Sequence, residues 1–266
     1  MLPRRLQYGE EATLVEHLEE LRWRIVIVLI ALALTTIVAF AFHTHILDWL
    51  NHALPAKRRH PTTFGVAEPF TVSLTVSIYA GFLLALPVIL WQVWSFFAPA
   101  FDPTIERKVL GLVAFASVLG AAGLAFGYWV LLPRAVHWLT NYDSKQFTIL
   151  IRAKDYYSFT STVLLGIVCV FELPMVVLGL VRIGVLTSAR LRKHRRIGYF
   201  IVAVVALGLP GPDPITTALE LLPMWALFEG SIWLAWFVER RRPASTDALI
   251  WTDGPGRGQG EAGAEG

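Results

Sequence analysis

Long apolar runs alternate along the chain with short polar segments rich in proline and charge, and the longest run sets the class. Residues 70–100 pass through about thirty positions without a Lys, Arg, Asp or Glu, enough for a helix to cross a hydrocarbon core of about 30 Å. Glu68 precedes this run, and Glu106, Arg107 and Lys108 follow it, so one span carries acidic groups to both surfaces. Upstream, Thr13 and Glu16 have capping-box spacing. From there Leu14, Leu18, Leu21 and Ile25 form one helical stripe among Glu16, Glu19 and Glu20. Arg22 and Arg24 close that polar part, Trp23 fits an interfacial aromatic belt, and residues 25–42 are free of charge.

Continuing in this way, the pattern predicts an all-α integral membrane protein with six transmembrane helices at about 24–43, 70–96, 109–132, 156–181, 197–212 and 219–238. The segment 1–23 is predicted to be cytoplasmic with an amphipathic helix, and 239–266, which ends GPGRGQGEAGAEG, to be a disordered cytoplasmic tail. Gly120, Gly123 and Gly127 form a small-residue stripe in the third span, where helix backbones can approach closely. Pro174 predicts a loosened helix beside Glu172 in the fourth. The fifth and sixth spans are short for an ordinary bilayer, which implies incomplete crossings or local thinning.

Composition agrees. Of 266 residues, 55% are hydrophobic and 16% charged, with mean hydropathy +0.57, which excludes an ordinary soluble domain. The net charge of +3 is small and its basic residues cluster beside apolar spans, so no nucleic-acid role is expected. A single cysteine, Cys169, excludes an intramolecular disulfide and gives no zinc spacing. The N-terminus lacks the apolar core and cleavage site of a secretory leader, so no removed leader is expected.

Basic residues sort by loop. With the N-terminus inside, Arg4, Arg5, Arg22, Arg24, Arg107, Lys108, the 182–196 cluster and the 240–242 run all fall on the cytoplasmic side. Lys57, Arg58, Arg59, Arg134, Lys145, Arg152 and Lys154 remain outside, so the bias favours both termini in the cytoplasm.

Few residues are candidates for chemistry. Glu172 lies in mid-span, where a carboxylate costs about 2.5–3.5 kcal/mol and usually faces a protein interior or wet cavity. It is either an acid hydrogen-bonded to a neighbouring helix, a docking point for another helix, or a proton-carrying site. Glu20 and Glu106 share the inner face under the assigned topology. Either Glu20 pairs with Arg24 at i, i+4 while Glu106 is solvated, or both receive guanidinium groups by bidentate pairing. His43, His45, Asp48 and His52 suggest a metal but close no ligand set, and no metal is assigned. Asp213, between prolines, fits a turn, and Glu229 is either a second intramembrane polar contact or near a thinned surface. No catalytic constellation or nucleotide motif appears, so neither an enzyme nor a cofactor is expected.

Several segments in order resemble the TatC family, the multi-spanning component of the twin-arginine protein translocase. They are HLEELRWRI at the first span, PVILWQVWSFFAPAF followed by ERK after the second, FELP, LRKHRR, PDP and LPMWALFE. The resemblance implies a curved, cup-like six-helix fold in the bacterial cytoplasmic membrane, with short helices five and six. It implies a receptor for twin-arginine signal peptides of folded precursors, bound at Glu20, Leu21, Arg22, Phe96 and Glu106. Partner docking of TatA- and TatB-type single-span proteins falls to Glu172, Asp213 and Thr217, with a proton gradient as energy source and a homo-oligomeric receptor complex. Pro210 stands where family members commonly carry threonine, and Thr217 where they carry glutamine. The competing class is a proton-coupled secondary transporter using Glu172 beside a broken helix.

Overall fold

In the computed structural model the described residues are 14–56, 59–97, 109–143, 145–147, 149–182, 185–208 and 214–240. Thr13, Glu106, Asp213, Pro210 and the tail beyond Arg240 lie outside them. Among the described residues there is no β-strand, only one isolated bridge between Thr62 and Arg152.

The first span is α1, Leu14–Ala41. The amphipathic segment and the crossing form one unbroken helix, and along its apolar stripe Leu18, Leu21 and Ile25 are exposed. The reason is that α1 leans on one main neighbour, α3, Glu68–Phe97. The two backbones come together at Gly81, where a Cβ would lie 2.7 Å from the Thr36 Cα. Thr35 Oγ1 donates to the Gly81 carbonyl at 2.8 Å, a bond a larger residue would push apart. Between these helices α2, His43–Asn51, covers one end of the bundle.

The third span, α4 (Val109–Phe126), does not end near 132. A π-helical segment, Gly127–Leu131, leads directly into α5, Leu132–Asn141. The wider π turn accommodates Pro133 at the start of α5, where its missing N–H is tolerated, so a proline that reads as a breaker leaves the helix running. The fourth span divides as expected. Helix α6, Ala153–Phe171, stops at Glu172, and α7, Leu173–Arg182, resumes. Tight bonds from Glu172 N to the Cys169 carbonyl (3.2 Å) and from Met175 N to the Glu172 carbonyl (2.9 Å) bridge the break beside Pro174.

After a short α8, Ser188–Lys193, come α9, Arg195–Gly208, and α10, Pro214–Arg240. With 14 residues, α9 is about 21 Å long, less than a hydrocarbon core. Helix α10 is longer than its predicted span, 27 residues from Pro214, because proline suits a first helical position and Thr216 and Thr217 are taken into the helix. Among the described residues five helical stretches are long and apolar enough to cross a membrane, and α9 falls short of that length. In packing, α3 is the hub touching α1, α2, α4 and α6, while α10 joins α7, α8 and α9.

Candidate functional site

The last turns of α3 present two faces. Gln92 and Ser95 turn toward α1, where Arg24 donates from Nη1 to Gln92 Oε1 at 3.2 Å and from Nη2 to the Ser95 carbonyl at 3.1 Å. The same guanidinium donates to Glu20 Oε1 from Nε at 2.9 Å and from Nη2 at 2.5 Å. Phe96, next in sequence, stacks on His17 of α1 with ring centroids 4.4 Å apart. One mouth thus gathers Glu20 and Phe96, two of the expected residues. Leu21 and Arg22 are exposed and, one and two positions beyond Glu20, turn away from it. Glu20 Oε1 holds the chain's own Arg24, the i, i+4 pairing that the sequence allowed, while Oε2 is buried with no partner among the described residues.

The other face of α3, at Leu90, Val93, Trp94 and Phe97, lines an apolar cavity of about 240 Å³ closed by α7. Glu172 lies in its wall, 8% exposed, with neither carboxyl oxygen bonded to a partner among the described residues. Room for the carboxyl comes from Gly120, whose added Cβ would fall 2.9 Å from Glu172 Oε1 and 2.8 Å from Leu86 Cδ2. Gly123 and Gly127 likewise accept Phe171 and Ile167, as the glycine stripe predicted. From Leu90 to Phe96 is about 9 Å along the helix, so the polar mouth and the apolar groove adjoin through a single helix end.

The chain matches the family model described as "Sec-independent protein translocase protein (TatC)" over residues 16–223. It belongs to the TatC family. The Bacillus subtilis (strain 168) protein TatCd is 36% identical over 233 residues, covering 88% of this chain and 95% of that one. TatC of Carboxydothermus hydrogenoformans is 33% identical over 85% of this chain and 94% of its own length. A crystal structure of the twin arginine translocase receptor TatC in DDM superposes with TM-score 0.74 at 29% identity, over 82% of this chain and 99% of that one. As a TatC-family protein it is a multi-pass membrane component of a protein translocase and not an enzyme. The solute-transporter alternative finds no support in these relatives.

At the opposite end from the mouth, this TatC-family chain builds a fixed cap that sequence reasoning missed. Glu68 accepts from Arg152 Nε at 2.9 Å, Phe64 N at 2.9 Å, Gly65 N at 3.2 Å and Lys154 N at 3.3 Å. One carboxylate thereby ties the loop before α3 to the first turn of α6. Glu68 raises the Arg152 pKa above its ordinary value, chiefly by accepting this hydrogen bond. Three tyrosines hold α2: Tyr128 and Tyr156 donate to the Trp49 and Leu50 carbonyls at 2.8 and 2.7 Å, and Tyr157 to Asn51 Oδ1 at 2.8 Å. The first two add a second donor to carbonyls at the end of α2 that already accept from His52 N and Ala53 N, and the third ties down the Asn51 side chain.

The remaining candidates resolve individually. His43 and His52 spend Nδ1 on the Phe40 and Asp48 carbonyls, and no group of three metal-ligating residues occurs among the described residues. Glu229 pairs with Arg195 at 3.2 Å and accepts from the Tyr199 hydroxyl, which links it to the basic cluster rather than to a membrane-centre contact. Thr217 is half-buried on α10 one turn before Glu220, a second acid only 1% exposed, which nothing local in the sequence revealed.

Proposed function

We propose that this chain is the receptor subunit of a twin-arginine translocase, binding signal peptides of folded precursors at the mouth that holds Glu20 and Phe96, with Glu106 as a second acid for the arginine pair. Leu21 and Arg22 belong to the same recognition segment. The apolar part of the signal lies along the groove between α3 and α7. TatA- and TatB-type single-span helices dock at Glu172 with Thr217 and Asp213, and a proton gradient drives export. The protein resides in the bacterial cytoplasmic membrane with both termini cytoplasmic, as a homo-oligomer within the receptor complex. Supporting this reading is one arrangement: an acidic mouth with a stacked aromatic opens beside an apolar groove whose wall holds an unpartnered buried carboxyl. A buried polar group without a partner is costly, and a docking helix bearing a hydrogen-bonding side chain satisfies it.

The test is a pair of variants. Glu20→Ala combined with Glu106→Ala abolishes crosslinking to a twin-arginine peptide, whereas Glu172→Ala keeps the crosslink and blocks export. Undiminished crosslinking in the double variant removes the recognition assignment.

A further inference from the structure

Residues 190–196, between the apolar stretches of α7 and α9, hold Arg190, Arg192, Lys193, Arg195 and Arg196 with no acidic residue among them. Two of these cations are engaged within the chain. Arg195 pairs with Glu229 at 3.2 Å, and Arg192 donates to the Ser188 hydroxyl at 3.3 Å. The acids that α10 brings to this end are engaged too: Glu239 accepts from the Ser188 N–H at 2.9 Å and from its hydroxyl, and Glu229 also accepts from Tyr199. Arg190, Lys193 and Arg196 are left exposed, with no ion pair to an acid among the described residues.

The cluster leads straight into α9. His194 N donates to the Arg190 carbonyl at 3.0 Å, and Ile197 N and Gly198 N donate to the His194 carbonyl at 3.0 and 3.1 Å, so the chain barely departs from a helix between α8 and α9. On its inner side α9 meets α10 so closely that a Cβ at Gly198 would enter the Phe228 ring, and Val202 and Ala206 are buried there. On its outer side Ile197, Phe200, Ile201 and Val204 form an exposed row at i, i+3, i+4 and i+7. At about 21 Å, α9 is shorter than a hydrocarbon core. Headgroups must therefore come down toward the end that bears these cations, or the cations must snorkel up to them, and either way the two meet.

We propose that this end of α9, three cations without an acid beside an exposed apolar helix face, is a binding site for an anionic phospholipid. Its phosphate sits among Arg190, Lys193 and Arg196, and an acyl chain lies along Ile197, Phe200, Ile201 and Val204. A zwitterionic lipid covers the same apolar row, but its own ammonium offsets its phosphate, so the cations select for net negative charge. The leaflet is the inner one in the orientation proposed above, and the site does not depend on signal-peptide recognition.

The experiment titrates the purified full chain in detergent micelles with fluorescent phosphatidylglycerol and, separately, with phosphatidylcholine carrying the same chains and label. The unmodified protein binds phosphatidylglycerol more tightly. Arg190→Gln, Lys193→Gln or Arg196→Gln alone weakens phosphatidylglycerol about fivefold, and the three together about a hundredfold, while phosphatidylcholine binding is unchanged. The single variants carry the test where the triple variant does not accumulate. Arg134→Gln, which removes an exposed arginine elsewhere, changes neither affinity. Equal affinity for the two lipids in the unmodified protein, a preference that survives in the variants, or a matching loss in Arg134→Gln overturns the inference. So does displacement of the labelled lipid by glycerol phosphate or by a soluble acidic peptide as readily as by unlabelled phosphatidylglycerol.

Discussion

Replacing Glu172 by Met separates what stabilises the chain from what its partners use. The carboxyl is 8% exposed and neither oxygen has a hydrogen-bond partner among the described residues. An unsatisfied buried polar group costs about 1–3 kcal/mol, and an unbranched thioether follows the same path past Gly120 without that cost. Glu172→Met therefore raises the midpoint of thermal unfolding in detergent. Binding of a single-span partner helix that carries a polar residue moves the other way. Interhelical polar contacts in membranes contribute about 0.6–1.7 kcal/mol, so the partner binds about 3- to 20-fold more weakly. Glu172→Gln, which keeps donor and acceptor, preserves partner binding. The assay is a melt of the purified chain beside a titration of the partner helix in nanodiscs. A lower midpoint with unchanged partner affinity would refute the reasoning, because it would mean the carboxyl is already satisfied within its own chain.

Further outcomes follow from the packing, the cap and the charge distribution. Gly120→Ala drives a Cβ to 2.8 Å from Leu86 and 2.9 Å from Glu172, and the overpacking lowers stability by about 1–3 kcal/mol. Gly111→Ala, with nothing within 4 Å, is the neutral control in the same melts. Glu68→Ala strips four donors from one carboxylate, so residues 59–67 are cleaved faster by protease added to the outer face; equal rates would deny the cap its role. The raised Arg152 pKa means that this cation's share of the cap is present below its ordinary value and lost only as pH rises through the raised one, so mild alkali does not mimic the variant. For topology, Arg192→Cys labels from the inner face of intact membranes, and labelling from outside would invert the orientation.

Features that depend on local composition were legible in the chain. A charge-free run of helix length declares a span whatever surrounds it, and Pro174 marks the break after Glu172 because its missing N–H leaves a helix bond unmade. The spacing of Gly120, Gly123 and Gly127 likewise placed a close approach on the third span before its neighbour was known. What escaped depends on partners distant in the chain. Glu68 reads as a flank of the second span, and only the fold brings Arg152 and Lys154 to it. Gln92 and Ser95 give no hint that they anchor Arg24, although the i, i+4 pairing of Arg24 with Glu20 was among the readings the sequence allowed. Pro133 signalled an end to the third span, and the preceding π turn removed the conflict. Glu220 lay within the predicted sixth span but nothing local to it showed which way it faces, and only the packing around α10 buries it.

The most direct test of the account places a photoreactive residue at position 96 and, separately, at position 176 on the groove wall, and presents a precursor with an Arg-Arg signal. The account predicts that position 96 crosslinks to the arginine pair and position 176 to the apolar stretch that follows it, with both lost when the arginines are replaced by Lys-Lys. Crosslinks that ignore the arginine pair, or that join position 176 to the arginines, would contradict it.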